Sequence, residues 1–169
     1  QLMMLMDFDK SNAEWVVVAY LSQDQNMLNV IEQGKSAHTI TGALISGCTE
    51  EQVEQESKVV GLHTDPDTVR TLREQLPDVI YGEYFLPRTM SIRQAGKKSN
   101  HGLNYGLGYR SFALHNEMDE TDAKKIVKIY RTIAYPGIEM WWDATRRQLQ
   151  DNRTLTNCFG RQRKFLDGC

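Results

Sequence analysis

The sequence contains little cysteine and no long apolar run. Its three cysteines, Cys48, Cys158 and Cys169, have neither the density of a disulfide framework nor the spacing of a zinc site, which predicts a reducing compartment. No apolar stretch is long enough to span a bilayer, and the opening QLMMLM is too short for a signal peptide and lacks a basic flank. We therefore expect a cytoplasmic protein without a membrane partner.

An initiating methionine is also missing, since the chain starts at Gln1, and the chain ends at LDGC without a tail. From these two ends we expect a piece cut from a larger protein. The 169 residues are nevertheless enough for one domain with a buried core of its own.

A strong excess of one charge is absent as well, because the net charge is -2. The charge is unevenly placed, however. Residues 88–110 contain five cations and no acid, and residues 146–164 contain six cations against Asp151, so each stretch carries +5 and the remainder carries -12. Two basic stretches on an acidic body predict a polyanionic partner that is bound at a defined place.

The spacing of apolar residues predicts a mainly α chain, an α+β fragment with short strands at its two ends. The first strand would end near Asp9, and Ser11 and Glu14 would form a capping box at the start of a helix over residues 11–22. The other predicted helices cover residues 24–32, 36–45, 50–56, 65–77, 119–135 and 138–152, and a hairpin is predicted around Gly160 in residues 153–165.

Four residues stand at strict four-residue intervals in the segment RQAGKKSNHGLNYG, namely Arg93, Lys97, His101 and Tyr105. On an α-helix this spacing forms one gently spiralling stripe about 18 Å long, which is the length scale of a bound nucleotide. The cations lie near the helix N-terminus, where free N–H groups favour an anion such as a triphosphate, and the rings lie where a sugar and base would reach. The alternative is a solvated cationic stripe with a buried tyrosine.

The same segment is crowded with small residues that are poor helix formers, and glycine costs about 1 kcal/mol relative to alanine inside a helix. These residues are Gly96, Ser99, Asn100, Gly102 and Asn104. We expect them to let a partner approach the helix backbone closely.

This segment resembles the fingers helix of family A DNA polymerases, the bacterial polymerase I type, whose motif is R-x3-K-x3-F-x3-Y-G. Four further segments are similar to motifs of that family and follow in its order. They are DKSNAEWVVVAYLSQD, QGKSAHTITGALI, YRTIAYPGIEMWWDAT and LTNCFGRQRKF. The resemblance implies a DNA-directed DNA polymerase, represented here by its fingers subdomain and its first palm strand.

The resemblance assigns roles to individual residues. It implies that Asp9 binds metal in a catalytic site for two Mg2+ ions, and that Lys97 takes part in catalysis while it holds the triphosphate with Arg93. The resemblance further implies that His38 and Asn12 contact the triphosphate, that Glu14 screens the sugar and that His101 packs on the nucleotide. It implies that Tyr105 lies beside the templating base pair. The residues implied to contact DNA are Arg161, Arg163, Asn104 and Gly106. Asp7 would share a strand face with Asp9, but the register of the motif favours Asp9 alone.

Each of these roles has a simpler alternative. Glu14 could only close the capping box, and His38 could be a helix-surface or core histidine. Arg161 and Arg163 could lie on a solvated basic arm. Residues 57–88, where the family has a short link, could contact the template or be a tolerated surface insertion, and we expect the second.

The resemblance also implies the domain organisation. Residues 1–22 would be a palm piece, residues 23–135 the fingers helices with the insertion, and residues 136–169 a helix and a basic hairpin that returns to the palm. The expected partners are primer-template DNA, deoxynucleotide triphosphates and the remaining palm and thumb of the polymerase chain. The alternatives are a non-catalytic nucleic-acid binding module and an RNA-synthesising relative, against which the bulky Glu14 argues.

Two departures from the family pattern carry predictions. His101 replaces a phenylalanine or tyrosine, and this smaller, hydrogen-bonding ring predicts altered discrimination against 3'-deoxy sugars, with a pH dependence at about pH 6 to 7. The second catalytic carboxylate of the family lies in an H-D-E motif that this chain lacks, so we expect no polymerase activity from the 169 residues alone. From the insertion and His101 we expect a phage or viral origin, with action in a bacterial or infected host cell.

Overall fold

The computed structural model describes residues 12–76 and 85–165. Within these ranges the chain forms nine α-helices, one π-helical turn and one two-stranded sheet. Their bounds are α1 Ala13–Ser22, α2 Gln25–Glu32, α3 Ala37–Ser46, α4 Glu50–Val60, α5 Pro66–Glu74, α6 Ile92–Leu103, α7 Tyr109–His115, α8 Glu120–Ile129, the π-helical turn Tyr130–Ala134, α9 Pro136–Asn152, β1 Thr154–Thr156 and β2 Gln162–Lys164. The prediction of a mainly α chain is confirmed, whereas the strand predicted to end near Asp9 lies outside the described residues. None of the described helices is both long and apolar enough to cross a membrane.

Most helix starts are set by side chains that the sequence pattern identifies. Asp24, Ser36 and Asp65 each accept a hydrogen bond from the backbone N–H three residues further on. Each bond satisfies a donor that the first helical turn leaves free. Helix α4 continues to Val60, beyond its predicted end at residue 56, because Val60 is fully buried and Gly61 then ends the helix.

The structure departs from the predicted elements in three places. Helix α1 begins at Ala13 with Asn12 as its N-cap, in a left-handed conformation with φ 57° and without a side-chain capping bond, and thus starts later than predicted. Ser11, the predicted capping residue, lies outside the described residues. No prediction covers α7, because seven residues are too few to show helical periodicity. The helix predicted over residues 119–135 is α8 followed by the π-helical turn.

The hairpin predicted around Gly160 is confirmed. Strands β1 and β2 pair antiparallel with Leu155 opposite Arg163. Gly160 has a φ of 78°, a conformation that glycine adopts without steric cost. The hairpin follows α9 directly, so the basic residues of its second strand leave the helical body on an exposed arm.

Three aromatic side chains of the buried core, Trp15, Tyr130 and Tyr135, pack against one another. Their rings pack edge to face, with centroids 5.8 Å apart for Trp15 and Tyr135 and 5.0 Å apart for the two tyrosines. The carboxylate of Asp24 connects α2 to α9. Asp24 caps α2 and also accepts the N–H of Gly137, in the first turn of α9, at 2.7 Å.

Helices α3 and α6 cross with their backbones almost touching at Gly42 and Gly96. A Cβ atom on Gly96 would lie 2.3 Å from the carbonyl oxygen of His38 and 2.6 Å from the nitrogen of Gly42. Only glycine leaves room at such a crossing. The expectation that the small residues of this segment admit a ligand is therefore wrong for Gly96, which faces α3. The crossing instead places His38 beside α6.

One buried ion pair ties α4 and α5 to the start of α6. Arg73 Nε and Nη2 donate to Glu56 Oε1 at 2.9 and 2.7 Å, and both side chains are almost inaccessible to solvent. Arg73 also donates to the carbonyls of Pro87 and Met90, and the second oxygen of Glu56 accepts the Ile92 N–H at 2.9 Å. Helix α5, which lies within residues 57–88, thus packs into the fold through Arg73. The role of the whole segment, as a contact to the template or as a tolerated insertion, stays a prediction.

Candidate functional site

A pocket of about 470 Å³ lies where the start of α1, the first turn of α3 and the C-terminal half of α6 meet. It is lined by Asn12, Ala13, Glu14, Trp15, His38, Asn100, His101 and Asn104. Five of these residues are among the predicted site residues, and they come from three segments that are far apart in the sequence. The tertiary structure therefore brings together side chains that the motifs identify separately.

His38 lies in this pocket next to the cationic residues of α6. Its ring centroid lies 5.9 Å from that of His101, with 38° between the ring planes. Burial, together with the nearby charges of Arg93, His101 and Lys97, lowers the pKa of His38 to about 4. His38 is therefore neutral at pH 7. Arg93, Lys97 and His101 on α6 are all close enough to His38 to lower its pKa.

The predicted stripe of four residues is only partly helical. Helix α6 ends at Leu103, so Arg93, Lys97 and His101 share one face while Tyr105 lies in the turn beyond it. Tyr105 is 68% exposed, and a hydrogen bond to the Glu14 carboxylate raises the pKa of its hydroxyl. The prediction of one continuous helical line is therefore wrong at Tyr105, although its hydroxyl still contacts Glu14 at the start of α1.

The N-terminus of α6 is already occupied by protein groups. Glu56 accepts the N–H of Ile92, and the hydroxyl of Ser91 accepts the N–H of Gln94 at 3.3 Å. The expectation that free N–H groups hold an anion at this end is wrong for these two donors. An anion near Arg93 would therefore be held by side chains rather than by the helix terminus.

The cations of α6 are available for an external anion, whereas Arg88 is not. Arg88 pairs with Asp119 at 3.4 Å and with Asp122 at 3.1 Å, which removes it from the predicted basic stretch. Within residues 12–76 and 85–165, no carboxylate forms an ion pair with Arg93 or Lys97. Arg93 is half-buried and Lys97 is exposed. Two cations without a carboxylate partner in these ranges, close enough to the pocket residue His38 to lower its pKa, favour an anionic ligand.

A buried polar network that the sequence does not reveal lies beneath the pocket. The Asn100 amide contacts His38 Nδ1 at 3.3 Å and the hydroxyl of Thr41 at 2.9 Å, and Tyr130 donates to Asn104 Oδ1 at 2.8 Å. Asn100 and Asn104 are four residues apart on α6 and are both buried. Two buried asparagines on one helical face are the signal that could have identified this network.

The four residues predicted to contact DNA occupy different places. Arg161 and Arg163 are exposed on the hairpin, with the guanidinium of Arg163 5.3 Å from the ring centroid of Phe165. Gly106 has a φ of 78°. Asn104 is buried in the pocket wall and accepts a hydrogen bond from the hydroxyl of Tyr130. Their contacts to DNA stay predictions.

The predicted metal ligand, Asp9, lies outside the described residues. Within the parts of the chain that the structure describes, no three side chains of His, Cys, Asp or Glu come close enough to form a metal site. The pocket residues can hold and orient an anion, but a Mg2+ site would need Asp9 and further carboxylates.

No protein-family model matches the chain. Its sequence is similar to bacterial proteins named DNA polymerase I. It is 24% identical over 164 residues to the thermostable DNA polymerase I of Thermus filiformis, 24% identical over 165 residues to DNA polymerase I of Streptococcus pneumoniae R6, and 24% identical over 160 residues to that of Treponema pallidum. These matches cover 97%, 96% and 94% of this chain, but only 15%, 15% and 12% of the relatives, so the chain spans a small part of their length.

A solved structure shares the fold. It is the POL domain of Pol1 from M. smegmatis, in complex with DNA primer-template and dNTP. The TM-score is 0.63 at 17% sequence identity, and the match covers 94% of this chain and 22% of that chain. The nine helices and the hairpin of the described residues therefore have the architecture of one part of a polymerase domain.

Proposed function

We propose that this chain is the nucleotide-binding part of a DNA-directed DNA polymerase of the polymerase I type. Its pocket would select and position the incoming deoxynucleotide triphosphate on primer-template DNA. The observation that carries the proposal is the convergence of Asn12 and Glu14, His38, and His101 on one pocket. These residues belong to three motifs that resemble the same family, and the matched sequences and fold point to that family independently of the pocket.

Each pocket residue has a role that fits its surroundings. Arg93 and Lys97 would hold the triphosphate, with a neutral His38 donating one further hydrogen bond. His101 would pack against the sugar. Glu14, held at the rim by Tyr105, would leave no room for a ribose 2'-hydroxyl. Lys97 would also stabilise the charge that develops on the triphosphate during transfer.

The remaining parts of the reaction would come from outside the described residues. Mg2+ bound at Asp9 and a second carboxylate would supply the Lewis acidity that phosphoryl transfer needs. The pocket itself would bind the nucleotide, orient it and exclude water from it. Arg161 and Arg163 would contact DNA phosphates, and the palm and thumb of a longer chain would complete the site. The 169 residues alone would then bind nucleotide without extending a primer.

The proposal is tested by removing one cation at a time from α6. Arg93→Gln and Lys97→Gln are each expected to weaken binding of dATP by about tenfold to a hundredfold, because a charge-assisted hydrogen bond contributes about 1.5 to 3 kcal/mol. Isothermal titration calorimetry of the 169-residue chain at fixed ionic strength measures this change. Wild-type affinity in the Lys97→Gln variant would contradict the proposal.

The matched control is Lys58→Gln, which removes the same charge from the exposed face of α4. This variant is expected to bind dATP as the wild type does. A parallel titration with primer-template DNA separates the alternative function, because DNA binding that dATP does not tighten in the full-length protein would favour a non-catalytic nucleic-acid binding module.

His101 is expected to change the choice between sugars. The ratio of dideoxynucleotide to deoxynucleotide incorporation by the full-length protein should differ between the wild type and the His101→Phe variant, because an imidazole is smaller than a phenyl ring and can donate or accept a hydrogen bond. Equal ratios in the two proteins would show that His101 does not set this selection.

A further inference from the structure

We propose that Asn100 is a positioning residue that holds His38 as a neutral imidazole with its proton on Nε2, so that this N–H serves as a donor to an anion in the pocket. The inference deepens the proposed function, on which the identity of the anion as a triphosphate rests. The tautomer itself follows from the hydrogen bonds around Asn100 and requires no ligand.

The orientation of the Asn100 amide is determined by its neighbours. Its Oδ1 lies 2.9 Å from the hydroxyl of Thr41, whose proton is shared with the carbonyl oxygen of Ala37 at 2.7 Å, and 3.3 Å from the hydroxyl of Tyr130. Its Nδ2 lies 3.2 Å from the carbonyl oxygen of Ala37, which can only accept. A flipped amide would place two acceptor oxygens together, so the nitrogen must face Ala37.

The amide orientation determines the protonation of His38. Asn100 Nδ2 lies 3.3 Å from His38 Nδ1, and an amide N–H can only donate. His38 Nδ1 must therefore accept with its lone pair, which leaves the proton of the neutral ring on Nε2. A second proton on Nδ1 would point at the amide hydrogens, so the network opposes the imidazolium form.

The network is rigid enough to enforce this choice. Thr41, Asn100, Tyr130 and Tyr135 are all buried. The Thr41 hydroxyl lies 2.7 Å from that of Tyr135, and the single hydroxyl proton of Tyr130 lies between Asn104 Oδ1 at 2.8 Å and Asn100 Oδ1 at 3.3 Å. Turning the Asn100 amide over would disturb the hydrogen bonds that join α6 to α3 and to the π-helical turn. Leaving buried polar groups without these partners would cost free energy.

The charges around His38 favour the same form. Arg93, Lys97 and His101 face it from α6, and Glu14 lines the opposite side of the pocket. An imidazolium would add a further positive charge next to two permanent cations. A neutral ring instead adds one directed hydrogen bond without that repulsion, and its donor remains present at pH 7.

The tautomer is measured directly by long-range 1H–15N correlation spectra of the histidine rings in the 169-residue chain. The wild type is expected to show His38 protonated on Nε2 alone at pH 7. Asn100→Asp places an acceptor opposite Nδ1, so the proton should move to Nδ1 and the pKa of His38 should rise by about one unit or more. A wild-type spectrum with the proton on Nδ1 would overturn the proposal.

Two further variants separate positioning from folding. Asn104→Asp changes the same residue type in the same network without touching His38, and it should leave the Nε2 proton in place. Asn100→Ser removes the amide with little bulk, so His38 should populate both tautomers in a chain whose backbone spectrum stays folded. A pure Nε2 tautomer in Asn100→Ser would show that Asn100 does not position the ring.

Binding of inorganic tripolyphosphate distinguishes this inference from the proposed function. Asn100→Ser should weaken it about threefold to tenfold, as expected for one neutral hydrogen bond, while Lys58→Gln should leave it unchanged. If the wild type has the Nε2 tautomer but does not bind tripolyphosphate, the positioning of His38 stands and the triphosphate role proposed for the pocket is wrong.

Discussion

Arg73→Met is expected to lower the free energy of unfolding by about 3 to 5 kcal/mol, because it leaves the Glu56 carboxylate buried without its partner. Glu56 is 1% exposed and accepts from both Arg73 and the Ile92 N–H, so water cannot replace the lost guanidinium. The same substitution removes donors from the carbonyls of Pro87 and Met90. Urea unfolding followed by circular dichroism measures the loss.

The matched control is Arg70→Met, on the same helix. Arg70 pairs with Asp67 and Glu74, but all three side chains are well exposed, so this variant should lose less than about 1 kcal/mol. An equal loss in the two variants would show that the buried pair has no special role.

The loss caused by Arg73→Met should also depend on pH. Burial already raises the pKa of Glu56 above its ordinary value of 4.5, and Arg73 counteracts that rise. Without Arg73 the pKa of Glu56 rises further. A carboxyl with a raised pKa stabilises the fold when protonated, and this contribution is lost as the pH increases from 4.5 through the folded value. The loss of unfolding free energy caused by Arg73→Met should therefore be larger at pH 8 than at pH 5. A loss that does not depend on pH would contradict this explanation.

Gly96→Ala is expected to destabilise the fold by about 3 kcal/mol or more, because a methyl group at this position cannot be accommodated without moving α3 away from α6. The added Cβ would lie 2.3 Å from the carbonyl oxygen of His38, which is a backbone atom and cannot rotate aside. The same movement would displace His38 from the pocket. We therefore expect the variant to lose affinity for dATP together with stability, as measured by urea unfolding and calorimetry.

Gly108→Ala is the control for a glycine in open space. Gly108 has a negative φ of -68°, and a Cβ there would have no atom within 4 Å. Its substitution should cost about 1 kcal/mol, the typical loss when alanine replaces a better N-cap residue. Gly96→Ala with the stability of Gly108→Ala would mean that the crossing of α3 and α6 can relax.

The helix starts and the cationic face of α6 could be predicted because they depend on short-range spacing. Asp24, Ser36 and Asp65 cap helices through a backbone N–H only three residues away. Arg93 and Lys97 share a face because the helical period places them there. Tyr105 leaves that face because α6 ends at Leu103, just before a turn in which Gly106 has a φ of 78°.

The motifs identified His38 and Asn12 through resemblance, since their distance in sequence from His101 hides any physical relation. The role of Asn100 depends still more on the fold. Its hydrogen-bond partner Thr41 lies 59 residues away on α3, and Tyr130 lies 30 residues away in the π-helical turn. A short-range pattern cannot show which buried groups such an amide will meet.

The amino-acid pattern alone thus specifies a mainly helical chain, most of its helix starts, its terminal hairpin and the cations of α6, because propensity, capping and periodicity act over a few residues. The pocket, the neutral state of His38 and the pairing of Glu56 with Arg73 arise only when distant helices pack. The close packing of α3 against α6 at Gly42 and Gly96 removes water from the polar groups between the helices. This desolvation then determines which of these groups find hydrogen-bond partners and which charges they carry.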